Sequence, residues 1–464
     1  GGSGQPSRLR HLTDGDGDPY CIAGHTGPLC EVCVADSDYF SSAEGRCVAC
    51  PSTARSAGVF VGFVILIAVL AAAYAGLRRL PLSRRLRRRA ARIESAVGLQ
   101  PKFKVVVSFY QVSSTLGLVY GVRLDEHFTR WLDVLKLFSL DLFGVAIPGR
   151  CIGAMSTRLL VAGTWPYAAV AFVSLAIVAV AAVLNAKQKQ AFDRQLLGRL
   201  LYWAIFIFYL VLPSVSRSIF SARLCESFGY DDATGRRISY LLADPSLTCD
   251  AGPTWDDETS GLAPYFWAFF ALWPVLVPLG FLALLLRVRK PVAAQRATPL
   301  SRATSFLWRD YSGRFFFWEV LDLVRKIFLT SMVLFIDQDY GSRKLLRTVV
   351  AAIVSATFLT ILALARPYKR SDDLCLACIA NLLLTCCFAS GVVIQLCDST
   401  EYEDMCYNLV GYKTSRGATT FVVVLTAVML VVSLAVILVS AVSAARAKTM
   451  RLVSSKREPM RDGI

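Results

Sequence analysis

Histidine is almost missing from this chain: 464 residues contain three, His11, His25 and His127. No HExxH motif, no Walker phosphate loop and no nucleophile–base spacing accompanies them. The sequence therefore reads as a protein that is not an enzyme and takes no cofactor. Asp14 to Asp18 (DGDGD) lacks the loop length and closing Glu of an EF-hand, so no metal site is expected. The last apolar segment holds no Lys, which excludes a retinal attachment there. Charged residues are also scarce. They make up 18% of the chain against 55% hydrophobic, with a mean hydropathy of +0.51, too apolar for an ordinary soluble domain. Residues 1–20 are polar and flexible in composition, with no initiator Met and no apolar signal segment. That is expected of a processed product or of a piece of a longer protein.

What is present in quantity is apolar length. Nine runs are close to the ~20 residues a helix needs to cross a bilayer: 57–77, 103–122, 159–184, 200–222, 263–286, 315–336, 345–365, 374–396 and 418–442. The net charge of +16 is concentrated in clusters beside these runs. That is the pattern of cytoplasmic loops rather than of a nucleic-acid-binding face. Eight arginines fall between Arg78 and Arg92, directly after the first run, and hold that loop in the cytoplasm. The amino terminus is then outside and the carboxy terminus inside, and the remaining basic loops all fall inside. The segment 132–149 is apolar but interrupted by Asp133, Lys136 and Asp141. It reads as an outer interfacial or re-entrant helix, because a tenth crossing would invert every later loop. The fold class is an all-α polytopic membrane protein. It comprises a flexible segment (1–20), a cysteine-rich module (21–56), a helical bundle (57–445) and a basic cytoplasmic tail (446–464).

Of fourteen cysteines, ten fall outside in this topology, an even number in an oxidising compartment. The two Cys-x2-Cys pairs resemble zinc spacing, but their location favours disulfides. Local pairing gives Cys21–Cys30, Cys33–Cys47, Cys225–Cys249 and Cys397–Cys406. Cys50 and Cys151 remain, and a bond between them ties the module to the outer helix. Sequence alone does not fix the connectivity. Cys375, Cys378, Cys386 and Cys387 lie within an apolar run and read as free packing residues.

The run 315–336 stands out because it carries Glu319, Asp322, Arg325 and Lys326. On one helix these fall within an arc of roughly 120°, and intramembrane charges face protein or water. They form either an ion-pair network that fixes packing or a gate or ion pathway. Gln111, Ser114 and Asn381 in two other runs serve interhelical hydrogen bonds or line a polar path. Pro274 and Pro278 predict a bend or hinge in the fifth crossing. The arginines from Arg78 to Arg92 set topology or attract anionic lipids.

These stretches resemble a group of protist and algal polytopic membrane proteins with an EGF/laminin-like ectodomain. The resemblance rests on GHTGPLCEVC and GRCVAC, then KFKVVVSFYQVSSTLGLVY, ISYLLADPSLTC, WPVLVPLG, FFFWEVLDLVRKIFLTS and ARPYKRSDDLCLACIANLLL. A looser likeness is to the fungal TRP-like channels, which share a disulfide-bonded outer domain, a nine-crossing bundle and an Arg-Pro-Tyr/Phe turn, here Arg366 to Tyr368. The chain departs from that family in showing no recognisable lipid-binding β-sandwich and no selectivity-filter sequence. The resemblance implies a cation channel or channel-like subunit of the plasma or ciliary membrane, as a homo-oligomer. The alternative is an anchor or receptor for a large extracellular assembly, with a matrix or filament protein as partner.

Overall fold

The computed structural model describes residues 21–27, 30–41, 44–52, 69, 97–117, 119–120, 149–184, 190–231, 236–241, 243–248, 262–336, 344–397 and 416–457. The first expected crossing, the Arg78 to Arg92 loop and nearly all of the expected interfacial helix lie outside them.

The cysteine-rich module consists of two small antiparallel hairpins. β1 (His25–Thr26) pairs with β2 (Val32–Cys33), and β3 (Asp38–Ser41) with β4 (Arg46–Ala49). Such short strands bury little apolar area, and disulfides stand in for a core. Cys21–Cys30 and Cys33–Cys47 close the module, and Cys50–Cys151 joins it to the turn Gly149–Ile152. His25 sits between the hairpins. It accepts from the Cys47 amide at 3.2 Å through Nε2, and its Nδ1 lies 2.8 Å from the Cys30 carbonyl. Together these bonds put the ring proton on Nδ1.

The helices described are α1 (Leu99–Ser113), α2 (Met155–Leu184), α3 (Gln190–Ser221), α4 (Leu262–Phe270), α5 (Val277–Ala293), α6 (Pro299–Ala303), α7 (Ser305–Trp308), α8 (Trp318–Thr330), α9 (Lys344–Ala365), α10 (Ser371–Cys397) and α11 (Arg416–Arg457). Six stretches among them are long and apolar enough to cross a membrane: 155–182, 196–221, 262–293, 345–365, 371–397 and 420–443. The chain is a multi-pass membrane protein.

The expected count of nine is not reached among the described residues, and two elements differ from expectation. α1 is only 15 residues long, about 22 Å of rise, and takes in just 103–113 of the second run. The charged sixth run is not one continuous helix. α8 ends at Ser331, whose φ of −146° and ψ of −59° leave the helical region, and a 3-10 segment, Met332–Ile336, follows. Both elements are interior. One apolar core gathers residues of α9, α10 and α11, the other residues of α2, α3, α4 and α5. α8 contributes Trp318 and Leu329 to the first core and Val320, Leu323 and Ile327 to the second. α1 likewise places Val105 and Phe109 in the first and Val107 in the second. The two helices form the partition between the halves of the bundle.

The loop after α3, which the topology places outside, contains a three-stranded antiparallel sheet: β5 (Cys225–Asp231), β6 (Arg236–Leu241) and β7 (Asp244–Thr248). Arg158 in the first turn of α2 pairs with Asp244 at 3.0 Å and holds this sheet against the bundle. Cys225 is disulfide-bonded, as is Cys397 at the end of α10. The cysteines expected to pair with them, Cys249 and Cys406, lie outside the described residues.

Pro274 and Pro278 do not break their helix. A π-helical turn, Ala271–Leu276, takes up Pro274, and Pro278 follows one turn later within the same unbroken helical run. Trp273, fully buried inside that turn, donates to the Gly163 carbonyl at 3.0 Å and fixes it against α2.

Candidate functional site

The charges of α8 do not act as one stripe. They divide into two groups, and each recruits partners from other elements.

The first group centres on Lys104 of α1. Its ammonium lies 2.7 Å from Glu319 and 2.9 Å from Asp310, and it donates to the Phe306 carbonyl. The Phe306 ring faces the same ammonium at 4.2 Å. Tyr311 donates to Glu319 at 3.0 Å, and Gln100 donates to Asp310 at 3.3 Å. Lys104, Glu319 and Tyr311 are all buried. The loop that supplies Asp310 and Tyr311 is held by a short antiparallel bridge. Ser312 N donates to Pro367 O at 2.8 Å, and Lys369 N donates to Asp310 O at 3.1 Å. The partner strand exists because α9 ends at Arg366, whose φ of +46° is left-handed, and Pro367 then forbids continuation. The Arg-Pro-Tyr turn thus positions the loop that meets Lys104.

The second group centres on Asp322. It pairs with Arg325 at 2.8 Å and with Lys326 at 3.0 Å. Arg325 also donates to Asn381 of α10 and lies over the Phe358 ring at 4.2 Å. Lys326 donates to the Tyr209 hydroxyl of α3. Lys104, Glu319, Asp322, Arg325, Asn381 and the two tyrosines Tyr311 and Tyr368 line one cavity of about 20 Å³. That is room for roughly one water molecule. Lys104, Arg325 and Lys326 balance Asp310, Glu319 and Asp322, so the buried cluster is electrically neutral. Burial pushes the phenols of Tyr311 and Tyr368 well above their ordinary range, and the carboxylates of Glu319 and Asp322 add to the effect. Both hydroxyls therefore stay protonated.

A third group closes the same end of the bundle. Lys102 pairs with Asp373 at 2.7 Å and Asp372 at 2.8 Å, and donates to the Val97 carbonyl. Arg370 pairs with Asp372 at 3.1 Å, and Ser440 of α11 donates to Asp372 at 2.8 Å. α1, α10 and α11 are thereby joined.

No family model, curated protein or solved structure matches the chain.

Of the residues singled out from sequence, Glu319, Asp322, Arg325, Lys326 and Asn381 are brought into this cluster. Gln111 and Ser114 are not. Gln111 donates to the Leu210 carbonyl of α3 at 2.7 Å, and Ser114 donates to the Gln111 carbonyl at 3.1 Å. Both serve local or interhelical hydrogen bonds, and neither lines the cavity. Sequence reasoning missed Lys102, Lys104, Asp310, Tyr311, Asp372 and Asp373. The available signal was the pair of lysines two residues apart at the head of an apolar run. Such residues resemble ordinary flanking charges until a partner is seen.

A buried ion pair gains little over well-packed apolar residues, yet losing one partner costs several kcal/mol. A neutral cluster spanning α1, the 306–311 loop, α8 and α10 therefore specifies one arrangement of the two bundle halves.

Proposed function

We propose that this chain is the membrane part of a gated cation channel or channel-like subunit, and that the cluster around Lys104 and Glu319 is the latch of its closed state. The observation that carries this reading is the neutral set of three cations and three carboxylates buried where two halves of the bundle meet. Ionisable side chains inside a membrane bundle mark ion pathways or switches by default. Apolar residues would hold a static bundle equally well. A shut pathway would leave little more than the one-water cavity beside Glu319 and Asp322.

A second reading, an anchor for an extracellular assembly, draws on a different observation. The cysteine-rich module is covalently tied to the start of α2, as a tether requires. The sidedness assumed in both readings, with cysteines outside and arginine clusters in the cytoplasm, rests on the basic loops of the sequence.

Ion flux through liposomes containing the purified chain tests the proposal. Wild type should pass cations at a low rate, and Lys104→Met should raise that rate at least severalfold. If wild type and a folded Lys104→Met variant both match empty liposomes, the channel reading fails and the anchor stands.

A further inference from the structure

Helix α6 follows directly from Ala293, the last residue of the 262–293 span, and lies beside the opening turns of the 196–221 span. It therefore sits at the level where the spanning helices leave the hydrocarbon. Its start is firmly set. Thr298 accepts from the Ser301 amide at 3.1 Å, Ser301 accepts from the Thr298 amide at 3.0 Å, and Pro299 occupies the first turn.

Two hollows flank Arg302. One, of about 560 Å³, is lined by Arg296, Arg302, Arg309 and Lys369 with Trp308 and Phe316. The other, of about 310 Å³, is lined by Arg302 again, with Arg199, Tyr202 and Trp203 of α3. Among the described residues no carboxylate lines either hollow. Asp310, just behind the wall, pairs closely with Lys104 at 2.9 Å through one oxygen and reaches Arg309 only at 4.0 Å through the other, so it offsets part of the positive charge there and leaves Arg296 and Arg302 to face the hollow. The walls are ordered: Trp308 donates to the Ser301 carbonyl at 3.2 Å, and Lys369 donates to the Arg309 carbonyl at 2.6 Å. Burial first, with Arg309 adding to it, draws the Lys369 ammonium below its ordinary range. An incoming anion would reverse that cost. The larger hollow has the volume of a small-molecule site, and its guanidinium groups suit phosphate oxygens. Trp203 is 42% exposed and Leu197 68% exposed on the adjoining face of α3, an apolar surface open to an acyl chain.

We propose that the paired hollows around Arg302 bind an anionic lipid, its phosphorylated headgroup held by Arg296, Arg302, Arg309 and Lys369 and one acyl chain lying along Tyr202 and Trp203. On the topology read from the basic loops this is a lipid of the inner leaflet. The site is separate from the latch and does not depend on ion conduction.

Calorimetric titration of the full chain in a neutral detergent tests it, with dioctanoyl phosphatidylinositol phosphate as probe. Dioctanoyl phosphatidylcholine and the free inositol phosphate serve as the two comparison ligands. The anionic lipid should bind at least tenfold more tightly than either. The double variant Arg296→Gln with Arg302→Gln should weaken it by tenfold or more. Arg46→Gln, on the exposed surface of the cysteine-rich module, should leave it within about twofold. Should the double variant not fold, Lys369→Gln carries the same test with an expected loss of about fivefold. Unchanged affinity in the folded hollow variants overturns the proposal, as does equal binding of the neutral lipid. Equal binding of the free inositol phosphate would make this a soluble-anion site and likewise overturn it.

Discussion

The two ends of this bundle are fastened by opposite means. At one end the cysteine-rich module is bonded to the chain ahead of α2, Cys225 follows α3, and Cys397 closes α10. At the other end Lys102 and Lys104 meet four carboxylates supplied by α8, α10 and the 310 loop. Covalent bonds hold irrespective of pH and salt and yield to reductant. Buried ion pairs ignore reductant and, being shielded from solvent, respond little to salt. They respond strongly to loss of a single partner. One end is held by covalent bonds, and the other by charges that must all be present together.

The sharpest way to break the comparison is to remove one charge. Lys104→Met strands Asp310 and Glu319 without their cation, and a loss of about 3–5 kcal/mol is expected in thermal unfolding in detergent. Adding Glu319→Gln should restore part of that loss, and a double-mutant cycle measures how much. Strictly additive losses would show that the two groups do not form a unit. Next in size is the covalent end. Cys50→Ser with Cys151→Ser removes a bond closing 101 residues of sequence and should cost about 2–4 kcal/mol. Limited proteolysis should then release the module while the ion-pair end keeps its protection. Gly163→Ala probes the packing between the ends, since a Cβ there would lie 2.4 Å from Phe269. A loss of about 1–3 kcal/mol is expected, read as a lowered Tm. The smallest effect is alkaline. Tyr311 has a raised folded pKa against an ordinary value of 10.0, so the unfolded chain loses its proton first. The contribution is complete below that value and declines as pH rises above it. Tyr311→Phe should remove roughly 1 kcal/mol of that decline between neutral pH and about pH 11. An unchanged slope would show that Tyr311 is not held in its protonated form.

The same contrast explains what was legible in the sequence. Helices such as α9 and α10 announce themselves, because long apolar runs report the solvent around them and need no partner. The local cysteine pairs were legible for a related reason, as short spacings leave few alternatives. The charges of α8 were visible as an anomaly, but their partners were not. Lys104 and Glu319 are far apart in sequence, and a lysine at the start of an apolar run has the same appearance whether it snorkels to water or pairs inside. The 3-10 break after Ser331 was also hidden, since a core-enclosed element need not keep the length or regularity that lipid demands. β5 to β7 were missed because the loop's acidic residues suggested solvent exposure ahead of strand alternation.

Finally, consider how tension on the ectodomain would travel. Arg150 donates to the Cys33 carbonyl at 2.9 Å, right beside the Cys50–Cys151 bond. A pull on the module passes through that bond to the turn ahead of α2. The bundle would feel that tug at Met155, three residues from the Arg158–Asp244 pair.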